Sequence, residues 1–375
     1  MRSRLPRAVA LLILSLGSAL VLWPRTGSAD DVDHDATIRE RIAKWKATPQ
    51  AAILTKGVQF ETVTTGTGGG DRKTVALCIG VNKLDQTHYL GTEELSGCVN
   101  DAKEMQRILG KAGFSVTLMT DSGAKTTDVL PFIEKLVPIL HTGDTLVVTY
   151  SGHGGQVPDD NGDEDDGLDE TWCLHDRQVR DDTLADLWRR FDAGVHIVLV
   201  SDSCHSGTVA KLVVSADVLG KTPPAGLPLA ERPKLQAEAK ELRAHVARLA
   251  APPPASNLKA RFIPKAKADA IYLKNKALYD SDRLAGIQSD KRSIPEVKAT
   301  VVLLGACQDK EVSWERGGHG LFTSAMITEW DGGFRGSYRE LFDRVSERVK
   351  PSQHPNLFAF GPATDELKKA PAFQK

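Results

Sequence analysis

Short apolar runs alternating with amphipathic stretches constrain this fold more than any other feature of the chain. Thr74–Gly80 (TVALCIG) is an apolar run of strand length. Val99, Ala102, Met105, Ile108 and Leu109 then recur at helical spacing within residues 97–111. Phe114–Met119 and Asp144–Tyr150 read as strands, and between them Thr126–Leu140 reads as a helix with Pro131 near its start. Leu184–Phe191 reads as a helix, His196–Ser201 and Val301–Gly305 as strands, and Leu321–Trp330 and Tyr338–Val349 as helices. A strand apolar on both sides must be covered on both sides, and helices are what lie between these strands. The expectation is an α/β fold with a mostly parallel central sheet flanked by helices on both faces.

The rest of the chain divides around this pattern. Arg2, Arg4 and Arg7, an apolar run from Ala8 to Trp23 and the small residues Gly27-Ser28-Ala29 give residues 1–29 the layout of a secretory signal peptide. An uncleaved N-terminal membrane anchor is the alternative. The protein is therefore expected to be exported, periplasmic or secreted, with no stable membrane span after cleavage. Residues 30–72 are polar, with a helical stretch at Ile38–Trp45 and a hinge at Gly68-Gly69-Gly70, and read as a pro-segment or linker. Residues 73–207 and 297–375 carry the strand and helix pattern. Residues 208–296 interrupt it with proline clusters, a basic helical stretch at Glu231–Leu249, and 16 Lys/Arg against 9 Asp/Glu. They read as an insertion on the edge or rim of the sheet, or as a separate small helical domain. A formal net charge of -1 argues against a nucleic-acid or anionic-membrane partner. Five cysteines, odd in number and without C-x-x-C spacing, suit neither a disulfide framework nor a zinc site.

Two strands run into loops suited to chemistry. Leu146–Tyr150 leads into Ser151-Gly152-His153-Gly154-Gly155, and His196–Ser201 into Asp202-Ser203-Cys204-His205-Ser206-Gly207. Ligands of open parallel sheets bind beyond the carboxyl ends of strands, where both loops fall. A thiol needs a nearby imidazole to take its proton, so Cys204 and His153 are the candidate nucleophile and base. Taken singly, a buried cysteine at a strand end is usually core and a histidine in a glycine-rich turn usually structural. His205 is a rival base, but sequence adjacency to Cys204 seldom gives the geometry. A developing oxyanion needs donors, and the backbone N–H groups of Gly154 and Cys204 are the candidates. A tyrosine-phosphatase loop would need Arg at position 210, where this chain has Ala.

These motifs resemble those of the metacaspases, a branch of the caspase-like cysteine peptidases. The resemblance rests on Tyr150–Gly154 and Asp202–Gly207, with support from Gly97-Cys98-Val99-Asn100-Asp101, Asp165–Glu170, Gly305-Ala306-Cys307-Gln308-Asp309 and Gly320-Leu321-Phe322-Thr323. It covers about residues 73–365 apart from the insertion. His153 and Cys204 are 51 positions apart, close to the spacing of about 50 between base and nucleophile in caspases. A caspase would carry Gln-Ala-Cys; this chain carries Asp-Ser-Cys. The resemblance implies a caspase-like fold and an endopeptidase that cuts protein or peptide substrates after Arg or Lys. It also implies a pocket built from Asp101, Ser151 and Asp202, where carboxylates would pair bidentately with guanidinium. Alone, Asp101 reads as a charge favourable to a helix start. A monomer is the family expectation.

Eight carboxylates lie between Asp159 and Glu170 with no base among them, and they do not fit an EF-hand register. Many metacaspases are activated by calcium, and by resemblance the ligands here would include Asp169, Asp181 and Asp182. A further family ligand falls at Lys211, which opposes calcium binding, so no cofactor is required and calcium is an optional activator. Caspase-like enzymes are often cut between their two parts, and the insertion offers Arg232, Arg261 and Lys267 as sites for self-cleavage. The rival functions are a catalytically silent caspase-like scaffold and an exported calcium-binding or adhesive protein.

Overall fold

The computed structural model describes residues 72–159, 167–204, 257–279, 297–308, 311–350 and 352–374. These lie in the larger of two compact units, Ala47–Lys375; the other, Met1–Lys46, lies outside them, as do the signal segment, Ile38–Trp45, Glu231–Leu249, His205 and Lys211. Among the described residues no helix is long and apolar enough to cross a membrane.

In chain order the elements are β1 (Thr74–Gly80), α1 (Cys98–Lys111), β2 (Ser115–Thr120), α2 (Thr126–Leu136), β3 (Thr145–Ser151), β4 (Gly154–Pro158), β5 (Leu168–Cys173), β6 (Gln178–Arg180), α3 (Asp181–Arg189) and β7 (His196–Asp202). There follow β8 (Lys259–Ala260), α4 (Lys265–Lys274), β9 (Thr300–Gly305), β10 (Trp314–Arg316), β11 (His319–Gly320), α5 (Leu321–Asp331), α6 (Tyr338–Val349), β12 (Asn356–Phe360) and α7 (Thr364–Lys369). The central sheet has the order β12-β9-β7-β3-β1-β2. All its neighbours are parallel except β12, which closes one edge antiparallel to β9.

The apolar strands divide their side chains between two cores, as the period of two requires. Leu77, Ile79, Leu146, Val148, Ile197, Leu199, Val301 and Leu303 join one core with Val129 and Ile133 of α2 and Leu184 and Trp188 of α3. Ala76, Cys78, Val147, Val198, Val200, Val302 and Leu304 join the other with Met105 and Ile108 of α1, Phe322 and Met326 of α5, and Leu341 of α6. Helices on both faces are thus required by the sequence and present.

The differences from the sequence reading have local causes. Helix α2 ends at Leu136, short of Leu140: Val137 keeps helical dihedrals, but Pro138 has no N–H to donate to Glu134 O, so the hydrogen-bond ladder stops there. Pro131 lies inside the helix, not near its start. Two small three-stranded sheets, β4-β5-β6 and β11-β10-β8, and the edge strand β12 are additions. In the small sheets β6, β8, β10 and β11 are only two or three residues and carry no apolar run long enough to announce them, whereas β12 has the four-residue apolar run Leu357–Phe360, which the sequence reading passed over.

Candidate active site

Parallel register aligns the two candidate loops. On β3 and β7 Ser151 stands opposite Asp202, and His153 and Cys204 each lie two residues beyond that pair. The loops touch closely: a Cβ on Gly154 would sit 2.0 Å from the Cys204 carbonyl oxygen, so only glycine fits. His153 is buried, with Nε2 2.8 Å from the carbonyl oxygen of Glu93. That bond assigns the proton to Nε2 and leaves Nδ1 as an acceptor, buried and without a hydrogen-bond partner. Burial pushes the imidazole pKa down to about 4, outweighing the Glu93 hydrogen bond. Cys204 is also buried, and its sulfur accepts from the N–H of Ser313 at 3.0 Å. Burial, with the neighbouring Cys307 thiol, raises its pKa well above the ordinary cysteine value. Both groups are therefore neutral in this closed arrangement. No hydrogen bond joins Cys204 to His153; what they share is a third residue.

That residue is Arg261. Its carbonyl oxygen accepts from the N–H of Gly154 at 2.9 Å and from that of Cys204 at 3.4 Å, the two donors proposed for an oxyanion. Its own N–H donates to Ser313 O at 2.9 Å, extending the bridges of β8 to β10. Its side chain is fully buried among carboxylates. Nη2 lies 2.7 Å from Asp101 Oδ2 and 3.4 Å from Glu315 Oε2. Nη1 lies 3.3 Å from Asp202 Oδ2 and donates to Ser151 Oγ at 2.8 Å. Asp101, Ser151 and Asp202, inferred by resemblance as a pocket, thus surround one guanidinium. Arg261 belongs to the stretch 208–296 read as an insertion, and its backbone lies between the histidine and cysteine loops, bonded to Gly154, Cys204 and Ser313.

The pocket also contains residues that sequence reasoning missed. Glu315 on β10 is its third carboxylate, held by the N–H groups of Ser96 and Gly97 at 2.9 and 3.2 Å. His319 places Nδ1 2.9 Å from Asp101 Oδ1, and that hydrogen bond raises its pKa. Asp202 Oδ1 accepts from Ser313 Oγ at 2.7 Å. Its Oδ2 accepts from Thr323 N–H at 2.9 Å and Thr323 Oγ1 at 2.7 Å, at the start of α5, where a carboxylate also meets the favourable end of the helix dipole. Gly320 lines the wall: its Cβ would sit 2.1 Å from Asp202 Oδ2. Thr323 and Gly320 belong to a motif that the sequence did flag. Glu315 and His319 had no such signal, because only the hairpin β10–β11 brings them to α1.

The carboxylates assigned to calcium lie elsewhere. Asp169 on β5 and Asp181 and Asp182 at the start of α3 are buried, and Arg180 Nε is 3.1 Å from Asp169 Oδ2. Among the described residues no three His, Cys, Asp or Glu side chains gather so as to hold a metal ion. All five cysteines are free and buried.

A doubly covered parallel sheet with a histidine loop and a cysteine loop at adjacent strand tips defines a class, and comparison with known proteins names it. The sequence profile described as Caspase domain (Peptidase_C14) matches residues 73–374, and the chain belongs to that family. Metacaspase-7 of Arabidopsis thaliana is 40% identical over 144 residues, covering 35% of this chain and 34% of that one. Metacaspase III c of Phaeodactylum tricornutum is 39% identical over 153 residues, 36% of this chain and 44% of that one. The matches thus span about a third to under half of these curated relatives. A crystal structure of a Geobacter sulfurreducens protein superposes with a TM-score of 0.64 at 32% identity, covering 80% of this chain and 98% of that one.

Proposed function

We propose that this protein is a metacaspase-like cysteine endopeptidase that cuts after arginine, and that its first substrate is its own Arg261–Phe262 bond. The observation that carries this reading is the seating of Arg261: guanidinium among three carboxylates, carbonyl oxygen between two N–H donors, Cys204 alongside. In the reaction Cys204 Sγ attacks the Arg261 carbonyl carbon while His153 Nδ1 takes the thiol proton. The oxyanion stays on the N–H groups of Gly154 and Cys204. The bond to Phe262 breaks as the imidazole returns its proton to the leaving amine. Water then hydrolyses the thioester, freeing the Arg261 carboxylate and restoring the thiol.

Purified wild-type chain should yield two fragments, the second beginning at a new Phe262 N-terminus, while Cys204→Ala stays whole. Wild type should also release fluorophore from an Arg-coumarin peptide, and Cys204→Ala should not. Identical gels, or cleavage after Asp alone, would refute the reading. A silent scaffold predicts no turnover, and a calcium-binding protein predicts binding unaffected by Cys204→Ala.

Two further outcomes follow from the site. Gly154→Ala forces the two loops apart and misplaces an oxyanion donor, so turnover should fall about a hundredfold; near-normal turnover would remove Gly154 from this role. With Arg261 seated, His153 is neutral at any pH above about 4, so self-cleavage should persist at pH 5 and fail near 4. Once the cleft opens, water restores the imidazole toward its ordinary pKa of about 6.5, and the acid limb for added substrate should lie higher. Superimposed pH profiles for the two reactions would contradict this.

Calcium enters only as an activator. Asp169, Asp181 and Asp182 motivate it, but Arg180 already neutralises part of their charge and the described residues alone do not form a ligand set. No step depends on it, and rates with calcium and with chelator test it. Export, inferred from residues 1–29, is tested by the N-terminus of the mature protein and by its fractionation.

A further inference from the structure

The chain beyond the cut is anchored as firmly as the arginine before it. Phe262 forms a parallel bridge with Gly154, and Ile263 N–H donates to Gly154 O at 3.0 Å. After Pro264, α4 turns its buried residues Ala268 and Ile271 inward, and these, with Ile263, join the same core as Tyr89, Trp172 and Val179. Polar contacts hold the rest. Lys267 Nζ donates to Gly91 O at 2.8 Å and Asn275 Nδ2 to His88 O at 3.2 Å. The buried Tyr279 hydroxyl lies 2.9 Å from His88 Nε2 and accepts from Gln178 Nε2 at 3.3 Å.

Apart from the Gly154–Phe262 bridge, one of whose two hydrogen bonds runs from Gly154 N–H to the Arg261 carbonyl, these contacts do not involve the bond to be cut and are kept when it breaks. Apolar groups that belong to the main core do not leave it because a peptide bond upstream is hydrolysed. We propose that the surface formed by residues 87–91, β4 and Gln178 is a downstream binding site for a segment with an aliphatic-faced helix starting four residues after the cleaved arginine. Its resident ligand is residues 263–279, which stay seated after self-cleavage. This inference rests on the Arg261 reading above and extends it to substrate choice. After the cut, Phe262 precedes the first anchor, Ile263, by a single residue and is free to swing aside, while Ile263 onward fills the path of any longer leaving chain. The processed enzyme should therefore select peptides by the residues before the cut and favour those with about one residue after it. A substrate with a long downstream chain has to displace the enzyme's own helix, which is tethered to the enzyme and so present at high effective concentration.

The test uses the full self-processed enzyme. Hydrogen exchange of residues 265–274 is compared before and after the cut, the uncut form being Cys204→Ala. In parallel, kcat/KM is measured for two peptides identical up to the arginine, one followed by a single residue and one by six. Protection should be unchanged by the cut, and the short peptide should be preferred by at least about tenfold. Ile271→Asp should bring that ratio close to one without slowing cleavage of an Arg-coumarin peptide. If Ile271→Asp does not fold, Tyr279→Phe, which removes a single hydroxyl, should lower both the protection and the ratio. A chain that cuts itself at Arg261 yet loses protection, or cleaves both peptides equally, overturns the inference alone. A chain that stays whole and ignores Arg-coumarin overturns the peptidase reading and this inference with it.

Discussion

Arg261→Met, placed on a Cys204→Ala background so that no cutting intervenes, should lower the melting temperature by on the order of 10 °C. The reason is local charge. Asp101, Asp202 and Glu315 are all nearly inaccessible, and one guanidinium lies within 3.4 Å of each. Removing one partner of a buried ion pair costs about 3–5 kcal/mol because the remaining charge is neither paired nor hydrated. For a domain of this size each kcal/mol moves the melting temperature by roughly 2–4 °C. Met keeps much of the volume of Arg and none of its charge, so the change reports electrostatics more than a cavity. With Cys204 intact, the same substitution should abolish the cut at 261. A melting temperature within about 2 °C of the parent would mean that the carboxylates do not depend on this arginine.

Asp202→Asn should reduce kcat/KM for Arg peptides by about a thousandfold in the processed enzyme. Asp202 is fixed by Ser313 Oγ, Thr323 N–H and Thr323 Oγ1, so the amide will occupy nearly the same position. It would then turn an NH2 group toward one of these donors or toward the incoming guanidinium. Losing one member of a desolvated charge pair in a binding site costs 2–5 kcal/mol or more, about 30-fold to several thousandfold. The fork geometry adds a second expectation. Nη1 faces Ser151 and Asp202 while Nη2 faces Asp101 and Glu315, so arginine engages both walls and a lysine ammonium engages one. Wild type should prefer Arg over Lys by at least about tenfold, and Asp202→Asn should shrink that preference. Parallel kinetics on matched Arg and Lys peptides measure both; an unchanged kcat/KM on Arg would remove Asp202 from the pocket.

Much of this was legible in the amino-acid order. A strand with apolar residues on both faces can exist only between two covering layers, so the runs within Thr74–Gly80, Asp144–Tyr150 and His196–Ser201 demanded a doubly covered sheet before any coordinates. The loops after β3 and β7 announced themselves because glycine next to histidine and a cysteine just past a buried strand are local signals. The short strands were not legible: β8 and β11 are two residues each, and bridges of that length are chosen by whichever backbone lies opposite.

What the order of residues determined, then, is the layered sheet and the two chemically equipped strand tips, because both follow from side-chain periodicity and near-neighbour chemistry. Only tertiary structure decided what fills the cleft between them. Arg261 is 57 residues from Cys204 and 160 from Asp101, and at such separations a charged residue carries no mark of its partner. Burial supplies the pairing: three carboxylates withdrawn from water require a cation with fixed donors, and only the folded chain shows which of its 48 Lys and Arg residues provides it.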